Sequence, residues 1–336
     1  MRSKIIVFML LAVMILLTAC GTPSKEDVMK KLSGKWNDTK GYELEATMEI
    51  KTGSEPRVYN VTVWHTKPDF YKVNVTQDGS QDSQMIVRNE EGVFVITPSL
   101  GKTYKFQSDW PTQNSMPYLI GTLSDDIKAD KNATMTDKDK TYIFETASRN
   151  NHKKVLPTQQ IHIDKKTLLP KHVSVLDESK EEKIRVTFKK ITLGIERNAS
   201  DFAVEMENIQ PDKKPQSTED DKDQTGYVKY YPNVSWEGTI YEEDSTVTEH
   251  GTRYFMTFGG GTKDFVVVQE PAVKPEGQVA VSIEGDPVDL GFAVAALTEN
   301  SIRWEQNGVS FFVASSNLTP DELIEVAASM TPGESK

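Results

Sequence analysis

The sequence predicts an α+β protein, a curved antiparallel half-barrel of about eleven strands under a helical lid, followed by a second, small α+β body. Three observations carry this. Apolar and polar residues alternate at a period of two in eleven segments between residues 41 and 193, as in strands with one buried face. The connections are mostly short and rich in turn residues, TGSEP, KPD, QDGS and NEEG among them, so neighbouring strands run antiparallel. The stretch PDKKPQSTEDDKDQT at 211–225 mixes proline with dense charge and has no large apolar side chain. It reads as an acidic linker between two bodies, 24–210 and 226–332.

The first body opens with a short helix. Ser24 stands where an N-cap belongs, and Asp27 three residues on completes a capping box. Val28, Met29 and Leu32 make one apolar stripe, and Gly34 ends it. In GYELEATMEIK at 41–51, Tyr42, Leu44, Ala46, Met48 and Ile50 alternate with Glu43, Glu45, Thr47, Glu49 and Lys51. One face of this strand is apolar and the other charged. Similar segments follow at 57–66, 69–77, 83–89, 92–97, 102–107, 132–136, 140–147, 158–164, 170–177 and 181–193. The long interruption at 111–131 contains MPYLIGTLSDDIKAD, spaced as one or two short helical segments after Pro117.

Each helix covers a strip only about 10 Å wide, too little for the apolar face of eleven strands. Either the sheet curls on itself or the helices roof an apolar hollow. Leu44, Met48, Ile50, Val61, Val63, Val73 and Val75 are the residues expected to line it.

The second body holds the strand pair TRYFMTF (252–258) and DFVVVQ (264–269) across a GGGTK turn, then SIRWEQNGVSFFV at 301–313. Its closing helix has Thr319 as cap, Pro320 in the first turn and Glu322 completing a capping box. Leu323, Val326, Ala327 and Met330 form its buried stripe.

Little here points to chemistry. The histidines are at 65, 152, 162, 172 and 250. His162 and His172 can meet across a hairpin, but no third ligand sits at a recognisable spacing. Solvated strand histidines and no metal are therefore expected. Gly259-Gly260-Gly261-Thr262-Lys263 lacks the spacing of a phosphate loop and lies between strand residues, so it reads as a hairpin turn. Glu43, Glu45 and Glu49 are the wet side of their strand. No catalytic residue, cofactor or enzymatic activity is expected.

Arg2 and Lys4 precede an apolar run from Ile5 to Leu17, which ends in Leu17-Thr18-Ala19-Cys20. The run is short of the roughly 20 residues of a membrane-spanning helix. With its small residues before the only cysteine, the segment resembles the bacterial lipoprotein signal. That resemblance implies removal of residues 1–19, a lipidated N-terminus at 20–23 with a diacylglyceryl group on Cys20 and fatty acyl chains such as palmitate, and a place on the extracytoplasmic face of the cell membrane. Two acyl chains, at about 0.8 kcal/mol per buried methylene, anchor where one holds only marginally. Removing residues 1–19 takes away two cations and no acid, which moves the net charge from −11 to −13. So acidic a surface excludes nucleic acid as a partner. With Cys20 spent on lipid, no thiol is left for a disulfide.

The first body, over about 24–208, further resembles the LolA, RseB and LppX group of bacterial envelope proteins. The resemblance is carried by the helix and eleven strands, by Trp64-His65-Thr66-Lys67-Pro68-Asp69-Phe70-Tyr71, and by Glu91-Gly92-Val93-Phe94-Val95-Ile96-Thr97-Pro98 leading to Lys102-Thr103-Tyr104. The late hairpin from Ile161-His162-Ile163-Asp164 to Leu169-Pro170-Lys171-His172-Val173 adds to it. The group implies an incomplete barrel around helices, with a cavity for acyl chains of a lipid or lipoprotein, and in some members the sensing or regulation of partners. The W-x-x-N-G-x-x-F strand from Trp304 to Phe311, the capped helix after it and the lipoprotein signal together resemble sporulation and germination lipoproteins of the YdcC and GerS kind. That likeness implies a non-enzymatic protein in the envelope of a spore former, on the mother-cell or forespore membrane. It implies an acyl ligand or a protein partner, which in one branch is a cell-wall amidase. The alternative is an interaction module without a lipid ligand, regulating a cell-wall enzyme or sigma-factor signalling.

Cys20→Ser is expected to move the protein from the membrane pellet to the soluble fraction and to abolish labelling by a palmitate analogue. Retention of both in the variant would contradict the lipid anchor.

Overall fold

The computed structural model describes residues 23–51, 56–79, 83–106, 108, 110–111, 116–149, 155–204, 227–234, 236, 240–259, 261–273 and 280–333. Cys20 and the stretch 211–225 lie outside them. The first body contains β1 (Gly41–Ile50), β2 (Arg57–Thr66), β3 (Phe70–Gln77), β4 (Ser83–Asn89), β5 (Gly92–Thr97), β6 (Lys102–Phe106), β7 (Thr134–Lys138), β8 (Thr141–Ala147), β9 (Thr158–Asp164), β10 (Pro170–Leu176) and β11 (Glu182–Leu193). The second contains β12 (Tyr230–Pro232), β13 (Ile240–Thr248), β14 (Gly251–Gly259), β15 (Phe265–Pro271), β16 (Val281–Ser282), β17 (Asp286–Asp289), β18 (Val294–Leu297), β19 (Ser301–Gln306), β20 (Val309–Ala314) and β21 (Met330–Pro332). The helices are α1 (Lys25–Trp36), α2 (Ile120–Ala129) and α3 (Pro320–Ala328).

The large sheet is an open one of twelve strands in the order β16-β6-β5-β4-β3-β2-β1-β11-β10-β9-β8-β7. It consists of two meanders, β1 to β6 and β7 to β11, joined where β1 pairs antiparallel with β11. Leu44 lies opposite Ile191 and Met48 opposite Val186. The register slips between Glu45 and Ala46, which leaves Lys189 as the extra residue of a bulge. The twelfth strand departs from the sequence reading. β16 comes from the second body and adds in parallel to β6, pairing Val281 with Tyr104.

This topology positions α2. The chain leaves β6 near one edge and begins again at β7, the other edge, so the segment between them has to cross the sheet. It crosses over the apolar face and buries Ile120, Leu123 and Ile127 in the same core as Leu44, Met48, Val63, Ile161 and Val186. Among the described residues of this stretch one helix forms. Its buried Asp126 accepts hydrogen bonds from Arg149 and Gln159, and Asp130 Oδ2 accepts the Ala147 N–H of β8 (2.7 Å). In α1, Ser24 Oγ accepts the Asp27 N–H (3.1 Å) as the cap predicts. Val28, Leu32 and Trp36 are buried, and Trp36 Nε1 donates to the Leu168 carbonyl (2.8 Å). The opposite face of the sheet carries a smaller cluster of Val87, Phe94, Ile96 and Phe202.

The second sheet is antiparallel, in the order β13-β14-β15-β20-β19-β18-β17. Around the GGGTK residues, of which Gly260 lies outside the described ones, β14 and β15 pair antiparallel as a hairpin requires. Helix α3 carries its capping box, with Thr319 N–H donating to Glu322 Oε2 (2.8 Å), and buries Leu323, Ile324, Val326 and Ala327. Met330, expected on this helix, lies beyond its end in β21, which pairs with β12. Gln269, fully buried on β15, holds β12 through both amide atoms. Its Oε1 accepts the Tyr230 N–H (2.9 Å) and its Nε2 donates to the Tyr230 carbonyl (3.0 Å).

Leu123→Ala removes a fully buried apolar side chain of α2 from the core and is expected to destabilise the fold by about 2–5 kcal/mol, read as a lower urea midpoint.

Candidate functional site

The seven residues expected to line a hollow sit on one face of β1, β2 and β3. Leu44, Met48, Ile50, Val61, Val63 and Val73 are buried there, and Val75 is partly buried beside them. Two parts of the chain pack into the same core: the helices α1 and α2, and a segment of the second body that includes Leu290, Phe292, Ala293 and Val294. Gly291 shows how close the approach is. Its φ is +85°, and a Cβ there would stand 3.0 Å from Ile50 Cδ1, so only glycine fits without displacement.

Polar contacts fix this seat. Tyr118 Oη donates to Asp289 Oδ2 (2.6 Å), and the Gly291 N–H donates to Asp289 Oδ1 (2.6 Å). Burial raises the Asp289 carboxyl above its ordinary range. The Tyr118 phenol is raised by burial first and then by the Asp289 charge. The Val294 N–H donates to Gln84 Oε1 (2.6 Å), and the Arg57 guanidinium lies 4.7 Å from the Phe292 ring centre. Across the same junction Lys102 pairs with Glu305, whose Oε1 also accepts from Tyr104 Oη (3.2 Å). Glu305 is 9% exposed, so this pair is desolvated, and removing either partner would strand the other.

A cleft runs along the junction, lined by Tyr59, Val75, Gln84, Phe292, Glu305 and Gln306 among others, with a volume of about 40 Å³. Of the seven expected lining residues, Val75 lines it. Ligand pockets are typically ~300–1,000 Å³, whereas this space is on the scale of a few water molecules.

The other residues singled out in the sequence are scattered. Glu43 pairs with Arg197 (2.5 Å) on the outer face of β1, and Glu45 is exposed. Lys263 of the GGGTK turn reaches Glu322 (2.9 Å) and lies 4.6 Å over the Trp236 ring. Among the described residues no three metal-ligating side chains come together, and His152 lies outside them. His250 is exposed beside Glu249.

His65 does not fit the solvated reading. It is stacked on Tyr71 (4.2 Å), tilted against Tyr42 (5.0 Å) and bonded through Nδ1 to the Phe70 carbonyl (3.0 Å). Burial lowers its pKa. His162 and His172 do meet across β9 and β10, ring on ring at 3.9 Å. They lie in an open groove of about 410 Å³ with Glu145, Gln160, Ser174, Lys180, Glu182 and Arg185. Partial burial and then the charge on His162 bring His172 down to about 4. Burial and Arg185 lower His162 as well.

The family model described as "Sporulation protein YdcC-like" matches residues 2–202. The Sporulation protein YdcC of Bacillus subtilis (strain 168) is 38% identical over 327 residues, which are 97% of this chain and 96% of that protein. Among solved structures, the crystal structure of MucB is similar with a TM-score of 0.37 at 14% identity, covering 93% of this chain and 99% of that one. A chain of the CwlD amidase from Clostridioides difficile in complex with the GerS lipoprotein gives a TM-score of 0.23 at 17% identity. That match covers 51% of this chain and 96% of the other. Both structural likenesses are loose.

The histidine pair sets a pH dependence. An unfolded chain takes each proton near pH 6.5, whereas folded His172 takes it only near 4. Acidification through that window therefore favours the unfolded chain, and the loss is complete below about pH 4. The urea midpoint is expected to fall from pH 6.5 to 4, and His172→Gln to flatten that slope.

Proposed function

Because the chain belongs to the family of YdcC-like sporulation proteins, we propose that it is a non-enzymatic lipoprotein tethered through Cys20 to the envelope of a sporulating cell, where its folded part binds a protein partner and holds no lipid ligand. One observation favours a protein partner over an acyl chain. The apolar face that could hold a lipid is occupied by the protein itself, by α1, α2 and the segment around Leu290 and Phe292. The cleft left at the junction is about 40 Å³, far below the roughly 300 Å³ at which ligand pockets begin.

An acyl chain would have to displace the second body from the first. That means breaking the buried Lys102–Glu305 and Tyr118–Asp289 contacts and exposing the apolar surface they flank, at about 25 cal/mol per Å². The tether is supported by the lipoprotein signal, with its cations, apolar core and cysteine in register. A protein so fixed works at one membrane surface and recruits or regulates what meets it there.

Native mass spectrometry of the chain from residue 21 onward, purified from a bacterial host, is expected to give the bare protein mass. Added mass of lipid that is lost on collisional activation would overturn the reading in favour of a carrier. Crosslinking in sporulating cells is expected to capture an envelope protein on the tethered chain.

A further inference from the structure

The second sheet has two faces, and they differ. Met256, Val267, Phe311, Val313, Ile302 and Trp304 are buried on the face that carries α3. On the other face, strand pairing sets Asp244 of β13 opposite Phe255 of β14, Phe255 opposite Val268 of β15, Val268 opposite Phe312 of β20, and Phe312 opposite Arg303 of β19. Directly paired residues share a face, so these five side chains belong to one row, five strands of the seven in the sheet. The row beside it runs Glu242, Thr257, Val266, Ala314, Ser301. Phe255, Val266, Val268, Phe312 and Ala314 are only half-buried, and an open groove of about 630 Å³ is lined by Thr257, Val266, Phe312 and Ala314 at this end of the sheet.

The exposed stretch of the first row is antisymmetric, with an acid at one end, a guanidinium at the other and three large apolar side chains between them; beyond Arg303 the row continues to Ala296 of β18 and Pro287 of β17, both buried. Asp244 accepts the Ser245 N–H (2.7 Å) and Arg303 lies over Phe312 at 5.2 Å. Neither meets a counter-ion among the described residues. The middle strand of the five is β15. A twofold axis along β15 would lay Val268 against Val268, Phe255 against Phe312 of a second copy, and Asp244 against its Arg303. The second row would set Thr257 against Ala314 and Glu242 against Ser301. We infer that this face joins two copies of the chain, sheet against sheet, in a closed twofold dimer.

Such an interface is isologous, every contact occurring twice, and aligned packing of two twisted sheets is an ordinary arrangement. Five strands at about 4.8 Å make the face roughly 20 Å wide. A membrane surface suits the face less well, because Glu242 and Asp244 border it and anionic headgroups would repel them. An unrelated partner would have no need of a row that complements itself. The dimer is independent of which envelope protein the chain binds and extends the proposed function.

The test places a thiol on the axis. Val268→Cys in the full chain, in membranes of a bacterial host, is treated with a short bismaleimide. A crosslinked dimer is expected on a denaturing gel, several-fold stronger than for Val247→Cys, which is 84% exposed on β13 but outside the row. In the Val268→Cys background, Asp244→Arg and Arg303→Asp are each expected to lower the dimer several-fold, and the two together to restore it. Three outcomes would overturn the dimer: crosslinking no stronger than for Val247→Cys, conjugation to a different protein, or failure of the double exchange to restore what either single change removes.

Discussion

The pairing of β1 with β11 is the constraint on which the rest of the molecule depends. It joins the first and last strands of a segment of about 150 residues, a closure whose entropic cost grows only slowly with loop length. Once it forms, the two meanders become one sheet, and their remaining free ends lie at opposite edges. The connection from β6 to β7 then has to traverse the sheet. Because one face is apolar, the traverse becomes a packed layer, with Ile120, Leu123 and Ile127 inward and Asp126 and Asp130 tied to the strands beneath.

What remains of the apolar face is taken by the second body. Its contribution is small in length but placed where exchange is difficult: Gly291 against Ile50, Asp289 under the Tyr118 hydroxyl, Glu305 against Lys102. Each is a close or desolvated contact that tolerates no gap. The two bodies also share one sheet through β16, so they behave as a single packed unit at the junction even though each has its own sheet. This continuity makes the protein's exterior, with its open face across β13, β14, β15, β20 and β19, the surface available to others.

Much of this was legible in the sequence, and the reason is physical. A strand with one wet face must alternate, so Tyr42 to Ile50 announced β1, and the same rule found its neighbours. Caps are local chemistry, so Ser24, Thr319 and Glu322 were readable where they stand. The pairing of His162 with His172 followed from a short hairpin. Contacts made at long range left no local trace. Val281 and Ser282 form a strand too short to show a period. The loop-like run from Asp289 to Phe292 gave no sign that it would cover Ile50 and line the cleft. His65 looked solvated because its neighbours Tyr42 and Tyr71 are brought to it by β1 and β3, not by its own strand. The filled face is the sum of such contacts, so alternation could count the apolar residues without saying what would cover them.

The borrowed strand also bears on the order in which the chain is made. The edge at β7 is short, exposed and ends in Asp137 and Lys138, features that discourage a stray strand from adding to it. The edge at β6 is as short and carries Lys102 and Lys105, and it is in addition covered by β16, a piece of chain that emerges long after β6 has been synthesised. Until then the first sheet exists with one side unsealed, in the kind of partly folded state that mispairs. The final third of the polypeptide thus acts, among its other roles, as the late seal of a structure begun at the start.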